Sequence, residues 1–290
     1  MDMEATLRAL NACHGPSGDE GEIAAKLQEL AAPYADECRV DTLGNLLVHR
    51  RGPGARIMFS AHMDSIGVIV IHIDEKGFLR FGKLGGLGVQ ELTGVPVRFK
   101  HGVRGVIVPE MKTEPKDRKL DDLCIDIGAE SRAEAEKLVQ LGDTAVYDTP
   151  CFNAGERIIS PYIDNRLGCA VLLAALEKMQ KSENDVWFVF SVQEELGLRG
   201  ARTAAFGVDP DYGVAVDVTC PDDEPGSDHS GSTQLGKGAA VKVMDRSVIC
   251  HPELVRRMND LARARGIPVQ ADVMSCGGTD AGAIHQIRAG

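Results

Sequence analysis

Several features are missing from this chain of 290 residues, and each absence narrows what it can be. No unbroken apolar run approaches the roughly 18 residues needed to span a bilayer. The opening stretch MDMEATLRALNACHG has no basic region leading into an apolar one, so a cytoplasmic location is the expectation. Its eight cysteines, at 13, 38, 124, 151, 169, 220, 250 and 276, form no CxxC pair and no zinc-ribbon spacing. They read as reduced, mostly buried small hydrophobes. Positive charge is also scarce. A formal net charge of −11 repels phosphate backbones and anionic membrane surfaces, which argues against nucleic-acid and membrane partners. There is no internal repeat and no low-complexity segment.

What is present is enough apolar residue, 43% of the chain, to bury a large core in one large domain or two unequal ones. Ser17 and Glu20 have the spacing of a capping box, and Ile23, Ala24, Leu27 and Leu30 follow at helical spacing until Pro33. Two strand-like runs at 38–41 and 46–49, joined by Leu43-Gly44-Asn45, suggest a hairpin at a sheet edge. Residues 56–61, 186–192 and 213–218 are apolar runs of the kind expected of strands buried on both faces, with helical sequence at 167–179 and 198–205. Further helices are expected at 252–265 and 280–288, with a strand at about 268–274. Strands alternating with helices argue for an α/β fold with a mixed, mostly parallel sheet flanked by helices. Between 67 and 159 short, glycine-punctuated β segments suggest a small β-barrel or sandwich inserted between α/β segments 1–66 and 160–290, interrupted by one helix with a capping box at Ser131 and Glu134.

Three of the apolar strands deliver acidic or imidazole groups at or near their C-terminal ends: His62 and Asp64, the pair Glu194-Glu195, and Asp217. In an open parallel sheet that edge is where ligands bind. Asp164, in SPYIDNR just before a helix, belongs with them. Carboxylates at the rim of an apolar core are costly unless compensated, and one divalent cation compensates several together. His, Asp and Glu suit zinc, cobalt or manganese, and a carboxylate can bridge two ions.

Each residue also has a plainer alternative. His62-x-Asp64 suits a ligand and the carboxylate that orients it, or a half-buried histidine beside a surface aspartate. Glu194 and Glu195 diverge at a strand end, so that one can bind metal while the other acts as a general base, or both are solvated loop acids. Asp164 is a ligand, or an acid favoured by a helix dipole. Asp217, inside an apolar run, is a ligand or a salt-bridge partner. The remaining histidines read as structural or exposed, and Asp222–Asp228 as a solvated loop rather than a calcium site.

Taken together, AHMDSIG at 61–67, SPYIDNRLG at 160–168, QEELGLRGA at 193–201, AVDVT at 215–219 and CGGTDAGAIH at 276–285 resemble the tetrahedral aminopeptidase family of dinuclear metallopeptidases. That family includes glutamyl and deblocking aminopeptidases and endoglucanase-labelled members. The resemblance extends over essentially the whole chain, including GPSGDEG near the start and LDDLCIDIGA at 120–129. It implies an α/β catalytic domain interrupted by a small β-domain that supports homo-oligomerisation, from dimers to a dodecamer. It further implies two divalent metal ions (zinc, cobalt or manganese), with Asp164 bridging, His62 and Asp217 completing one site and Glu195 serving the other. Glu194 would be the general base and Asp64 would orient His62. Peptide substrates would lose their N-terminal residues by attack of an activated water. Members of the family continue to a further histidine at the second site, so a chain ending at Gly290 is expected to lack that ligand and the last strands and, if natively this short, to have weak or no peptidase activity. Two rival expectations are a metal-independent glycoside hydrolase built on Glu194 and a catalytically inactive assembly or binding protein.

Overall fold

The computed structural model describes residues 1–223, 225–226 and 233–288. Glu224, Asp228 and His229, and the terminal Ala289 and Gly290, lie outside the described residues, so the expectations for the 222–228 loop, for His229 and for the chain end are addressed only in part.

The chain opens with helix α1 (Met3–Ala12), which the hydrophobic spacing had not singled out. The Asp2 carboxylate caps it by accepting from the amides of Glu4 and Ala5. Helix α2 (Gly21–Ala31) follows where expected, burying Ile23, Ala24, Leu27 and Ala31. Strands β1 (Glu37–Val40) and β2 (Leu46–Arg50) form the expected edge hairpin. Gly44 takes a φ of +114° in the connection, a conformation that costs only glycine little. Strand β3 (Arg56–His62) then runs into the site.

The inserted segment is a closed barrel. Its strands are β4 (Gly67–Ile73), β5 (Leu79–Leu84), β6 (Pro96–Phe99), β7 (Arg104–Pro109), β8 (Leu123–Asp126) and, after helix α3 (Arg132–Leu138), β9 (Thr144–Tyr147). They close in the order β4-β5-β8-β7-β6-β9 around Val70, Leu79, Phe81, Val97, Phe99, Ile107 and Ile125. Ser131 caps α3 as expected, but Glu134 reaches back to the amide of Glu130 rather than to that of Ser131. A separate small hairpin, β10 (Phe152–Ala154) and β11 (Arg157–Ile159), leads out of the barrel. The Tyr162 hydroxyl hydrogen-bonds the Tyr147 amide, and the two rings pack 6.3 Å apart, tying the exit to the barrel's last strand.

Helix α4 (Ile163–Lys178), strand β12 (Asp185–Ser191), helix α5 (Arg199–Val208) and strand β13 (Tyr212–Ala215) complete the α/β layer. Beyond them lie β14 (Ala239–Met244), α6 (Pro252–Ala264), β15 (Val269–Val273) and α7 (Ala281–Ile284), with β14 and β15 paired in parallel. The main sheet has the order β1-β2-β12-β3-β13. It is mixed rather than mostly parallel. β12 and β13 flank β3 in parallel, but both pairings of β2 are antiparallel. An apolar run such as Leu46-Leu47-Val48 signals burial on both faces, not strand direction.

Alternation along the strands divides the core in two. Leu46, Val48, Ala61, Phe188 and Phe190 meet α1, α2 and α4 on one face. On the other face Leu47, Met58 and Val189 meet α5 and α7. Each fully buried Leu or Phe contributes about 1.5–3 kcal/mol, so this three-layer packing holds the strand ends rigidly. Buried Asn45 adds a polar clamp. Its Oδ1 accepts from the Val192 amide (3.0 Å), and its Nδ2 donates to Gly200 O (3.1 Å) and Thr203 Oγ1 (3.0 Å). The start of α5 is thereby pulled against the end of β12, so closely that a Cβ at Gly200 would lie 2.4 Å from Val192 O. The turn between these elements carries Glu194 and Glu195.

Three further expectations are corrected. Of the cysteines, Cys13, Cys124 and Cys169 are buried, Cys38, Cys151 and Cys250 are half-buried, and Cys220 and Cys276 are exposed. The helix expected at 280–288 is a short one over Ala281–Ile284. Strand β13 stops at Ala215, which leaves Asp217 two residues beyond it rather than inside it.

Candidate active site

The parallel strands β3, β12 and β13 present their C-terminal ends side by side, and the candidate residues gather just beyond them. His62 is the last residue of β3 and is only 2% exposed. Its Nδ1 lies 3.1 Å from the Asp64 carbonyl and 3.4 Å from Asp64 Oδ1. Both are acceptors, so Nδ1 carries a proton, and Nε2 faces the acidic cluster. Nε2 stands 2.9 Å from Asp164 Oδ1, 3.8 Å from Asp217 Oδ1 and 4.0 Å from Glu194 Oε2.

Asp164 comes from a non-helical break at the start of α4, where the Asp164–Asn165 peptide is cis. Asp217 approaches from the segment after β13. Buried Asn165 links these two segments: its Nδ2 donates to Val216 O (2.9 Å) and its Oδ1 accepts from the Gly168 amide (3.0 Å). Ligand atoms of His62, Asp164 and Asp217 all lie within 4.8 Å of one another, a spacing that suits one cation.

Asp64 is fully buried and takes no part in that triad. It accepts from Ser17 Oγ (2.6 Å) and from the amides of Glu194 (3.0 Å) and Glu195 (3.3 Å). Despite burial, these donors and His62 hold its carboxyl below the usual carboxylate value. Glu195 leans toward the barrel. A Cβ on Gly85, whose φ is +85°, would lie 2.9 Å from Glu195 Oε2. The connection after β5 is therefore a wall of the site.

Burial drives Glu194, Glu195 and Asp217 toward protonation. Glu194 rises to about 9, first by burial, with Asp217, Asp280 and Asp64 repelling it against the attraction of His62. Glu195 and Asp217 each rise to about 7, chiefly by burial, with Asp164 repelling both. Burial alone would lower the His62 imidazole, yet Asp164, Asp64 and Asp217 hold it well above its ordinary value. One imidazole is the cationic partner of several crowded acids here, and a divalent cation fits what the cluster needs.

The site also contains residues that sequence reasoning gave no role. Asn165 directly follows a candidate ligand in SPYIDNR. Asp280, from CGGTDAGAIH, is fully buried beneath the sheet edge and accepts from Ser60 Oγ (2.5 Å) and Ser191 Oγ (2.6 Å), joining β3 to β12. Burial raises its carboxyl. Both sit inside motifs that were visible, but their partners are distant in the chain.

The geometry is matched by relationship. Residues 44–290 match the M42 glutamyl aminopeptidase family. The chain belongs to that family. A relative from Acetivibrio thermocellus that carries a provisional aminopeptidase name is 46% identical over 285 residues, covering 98% of this chain and 86% of its own. An aminopeptidase from the archaeon Desulfurococcus kamchatkensis superposes with a TM-score of 0.95 at 37% identity, covering 99% of this chain and 84% of the other. The TET1 peptidase of Pyrococcus horikoshii, which can assemble into a tetrahedron or a large octahedral shell, superposes at 0.87 with 34% identity, covering 97% and 87%. In this M42 chain, as in the two solved structures, a mixed α/β fold is combined with a barrel. None of its described helices is long and apolar enough to cross a membrane.

The raised carboxylates give a signed pH dependence. Each favours the folded state when protonated, so its contribution is complete below its ordinary pKa and is lost as pH rises through the raised value; His62, also raised, has the same sign. Chelator-stripped protein is therefore expected to show a falling thermal midpoint from about pH 5 to about pH 9. Added zinc or cobalt should flatten the slope, because a cation favours the ionised acids. A stripped protein more stable at the alkaline end would contradict this account of the cluster.

Proposed function

We propose that this M42 chain is a metal-dependent aminopeptidase that removes N-terminal residues from peptides with two divalent cations: zinc, cobalt or manganese. The observation that carries the proposal is the convergence of His62, Asp164 and Asp217 within 4.8 Å of one another, with the Glu194 carboxylate 4.0 Å from His62 Nε2 beside them. His62, Asp164 and Asp217 would hold one ion, and Glu195 with the bridging Asp164 would face the second. The ions would supply the charge that acidifies a water and polarises the scissile carbonyl.

The chain's own residues do the rest. Asp64 keeps the His62 Nδ1 proton in place, so that Nε2, on losing its own proton, would offer its lone pair to a bound cation. Glu194 accepts a proton from the attacking water and passes it to the leaving amine. Asp164 is 58% exposed, so the cluster opens to solvent on the side from which a peptide N-terminus arrives. We further propose a cytoplasmic homo-oligomer, dimeric to dodecameric, in which residues 67–159 serve as the assembly unit, in line with the assemblies of the P. horikoshii relative.

The test is turnover of aminoacyl p-nitroanilides by the purified chain with added zinc, cobalt or manganese, before and after a chelator. Hydrolysis that disappears with the chelator and returns with metal is expected. Chelator-insensitive hydrolysis of a soluble β-glucan would replace this reading with a glycosidase. Loss of all aminoacyl turnover under every metal would leave an assembly or binding protein.

A further inference from the structure

The segment GPSGDEG has the spacing of a helix cap, but neither of its polar residues caps α2. Glu20 occupies the N-cap position without a side-chain bond to the helix. Ser17 turns to Asp64 instead, donating at 2.6 Å. The Glu20 carboxylate, 7% exposed, uses Oε1 to accept from the Gly18 amide (2.8 Å) and, across the chain, from the Gln193 amide (3.1 Å). When local rules are broken together at the rim of a site, the residues have been recruited elsewhere.

The turn that carries Glu194 and Glu195 is thus held by two buried carboxylates through three consecutive amides. Glu20 takes Gln193, and Asp64 takes Glu194 and Glu195. Gln193 needs such restraint. Its φ is +53°, a left-handed conformation that a residue with a side chain keeps only where its surroundings over-determine it. The Ser17 loop is itself anchored to the segment after Asp64, with Ser17 N donating to Ser65 O (3.1 Å) and Ser65 N donating to Gly15 O (3.0 Å). We infer that Glu20 is a positioning residue: by accepting the Gln193 amide it sets the directions in which Glu194 and Glu195 leave the turn.

The catalytic consequence rests on the aminopeptidase reading above, whereas the backbone consequence does not. The test compares full-length wild type with Glu20→Ala, Glu20→Asp and Glu20→Gln. Two measurements are made: kcat and KM on an aminoacyl p-nitroanilide with added cobalt, and amide hydrogen exchange over residues 190–198. Glu20→Ala and Glu20→Asp withdraw the acceptor. They are expected to lower kcat by about 10–100-fold with KM changed less than about threefold, and to speed exchange at Gln193 by about tenfold or more. Glu20→Gln keeps an acceptor oxygen and should restore both to within about threefold of wild type. Should Glu20→Ala fail to fold, the Asp and Gln variants decide. Wild-type exchange and kcat in the acceptor-less variants would overturn the inference, and so would a Gln variant as impaired as they are. If wild type turns over no substrate, the functional reading fails and the exchange measurement still decides the role of Glu20.

Discussion

Replacing Glu194 with Gln is expected to lower kcat by about 10²–10⁴-fold, the usual contribution of a general base, while KM and bound metal stay near their wild-type values. The reason is positional as much as chemical. Glu194 stands 4.0 Å from His62 Nε2 but outside the triad of ligand atoms. Without a cation its carboxyl rises to about 9, by burial first and by the nearby Asp217, Asp280 and Asp64, and would be protonated at neutral pH. Bound cations would lower it and leave it ionised to accept the water's proton. Gln has the same shape and cannot accept it. Steady-state kinetics on an aminoacyl anilide, together with elemental analysis of metal per chain, checks the prediction. A variant that keeps more than about a tenth of wild-type kcat would remove Glu194 from the role of base.

The largest effect on stability is expected from Asp64→Ala, a loss of about 3–5 kcal/mol in denaturant unfolding, with a lower midpoint and an unchanged slope. Asp64 gathers the hydroxyl of Ser17, the amides of Glu194 and Glu195, and the Nδ1 side of His62, all in a fully buried setting. Removing the acceptor strands these donors together, and each stranded donor carries its own desolvation cost. Asp64→Asn, which keeps one acceptor oxygen, should lose less. If Asp64→Ala cost under about 1 kcal/mol, the network would contribute little to holding the turn.

The elements most legible in the sequence were those whose burial pattern is local. Ile23, Ala24 and Leu27 mark one face of α2. The runs in β3 and β12 mark strands covered on both sides, and the glycine-punctuated stretch after Gly67 marks the barrel. His62, Asp217, Glu194 and Glu195 were legible for the same reason, as charged groups at the edges of apolar runs. Asp164, in a loop before a helix, gained its place from the family resemblance, and the structure sets it 2.9 Å from His62 Nε2. Strand direction was not legible, because antiparallel β2 is as apolar as β3 and β12, which pair in parallel with each other. Helix α1 was missed because it buries only Leu7 and Leu10, too little for a strong periodic signal. The cap misread at Ser17 and Glu20 has a plainer cause. Their partners are 47 and 173 positions away, and a pattern of four residues holds no information at that range. Asn165 and Asp280 escaped for the same reason, since their hydrogen bonds close only after the sheet has assembled.

The close approach of Gly85 to Glu195 gives the barrel a foothold on the site itself. It is tied to the α/β layer elsewhere too: at the entry beside Ser65, which pairs with Pro16; at Thr144 and Lys100, which both donate to Asp19, with Thr144 also bonding His14; and at the exit, where Tyr162 is tied to Tyr147. A part bolted down at so many points is a fixed flange rather than a hinged lid, so the wall it gives the site beside Glu195 stays where folding put it.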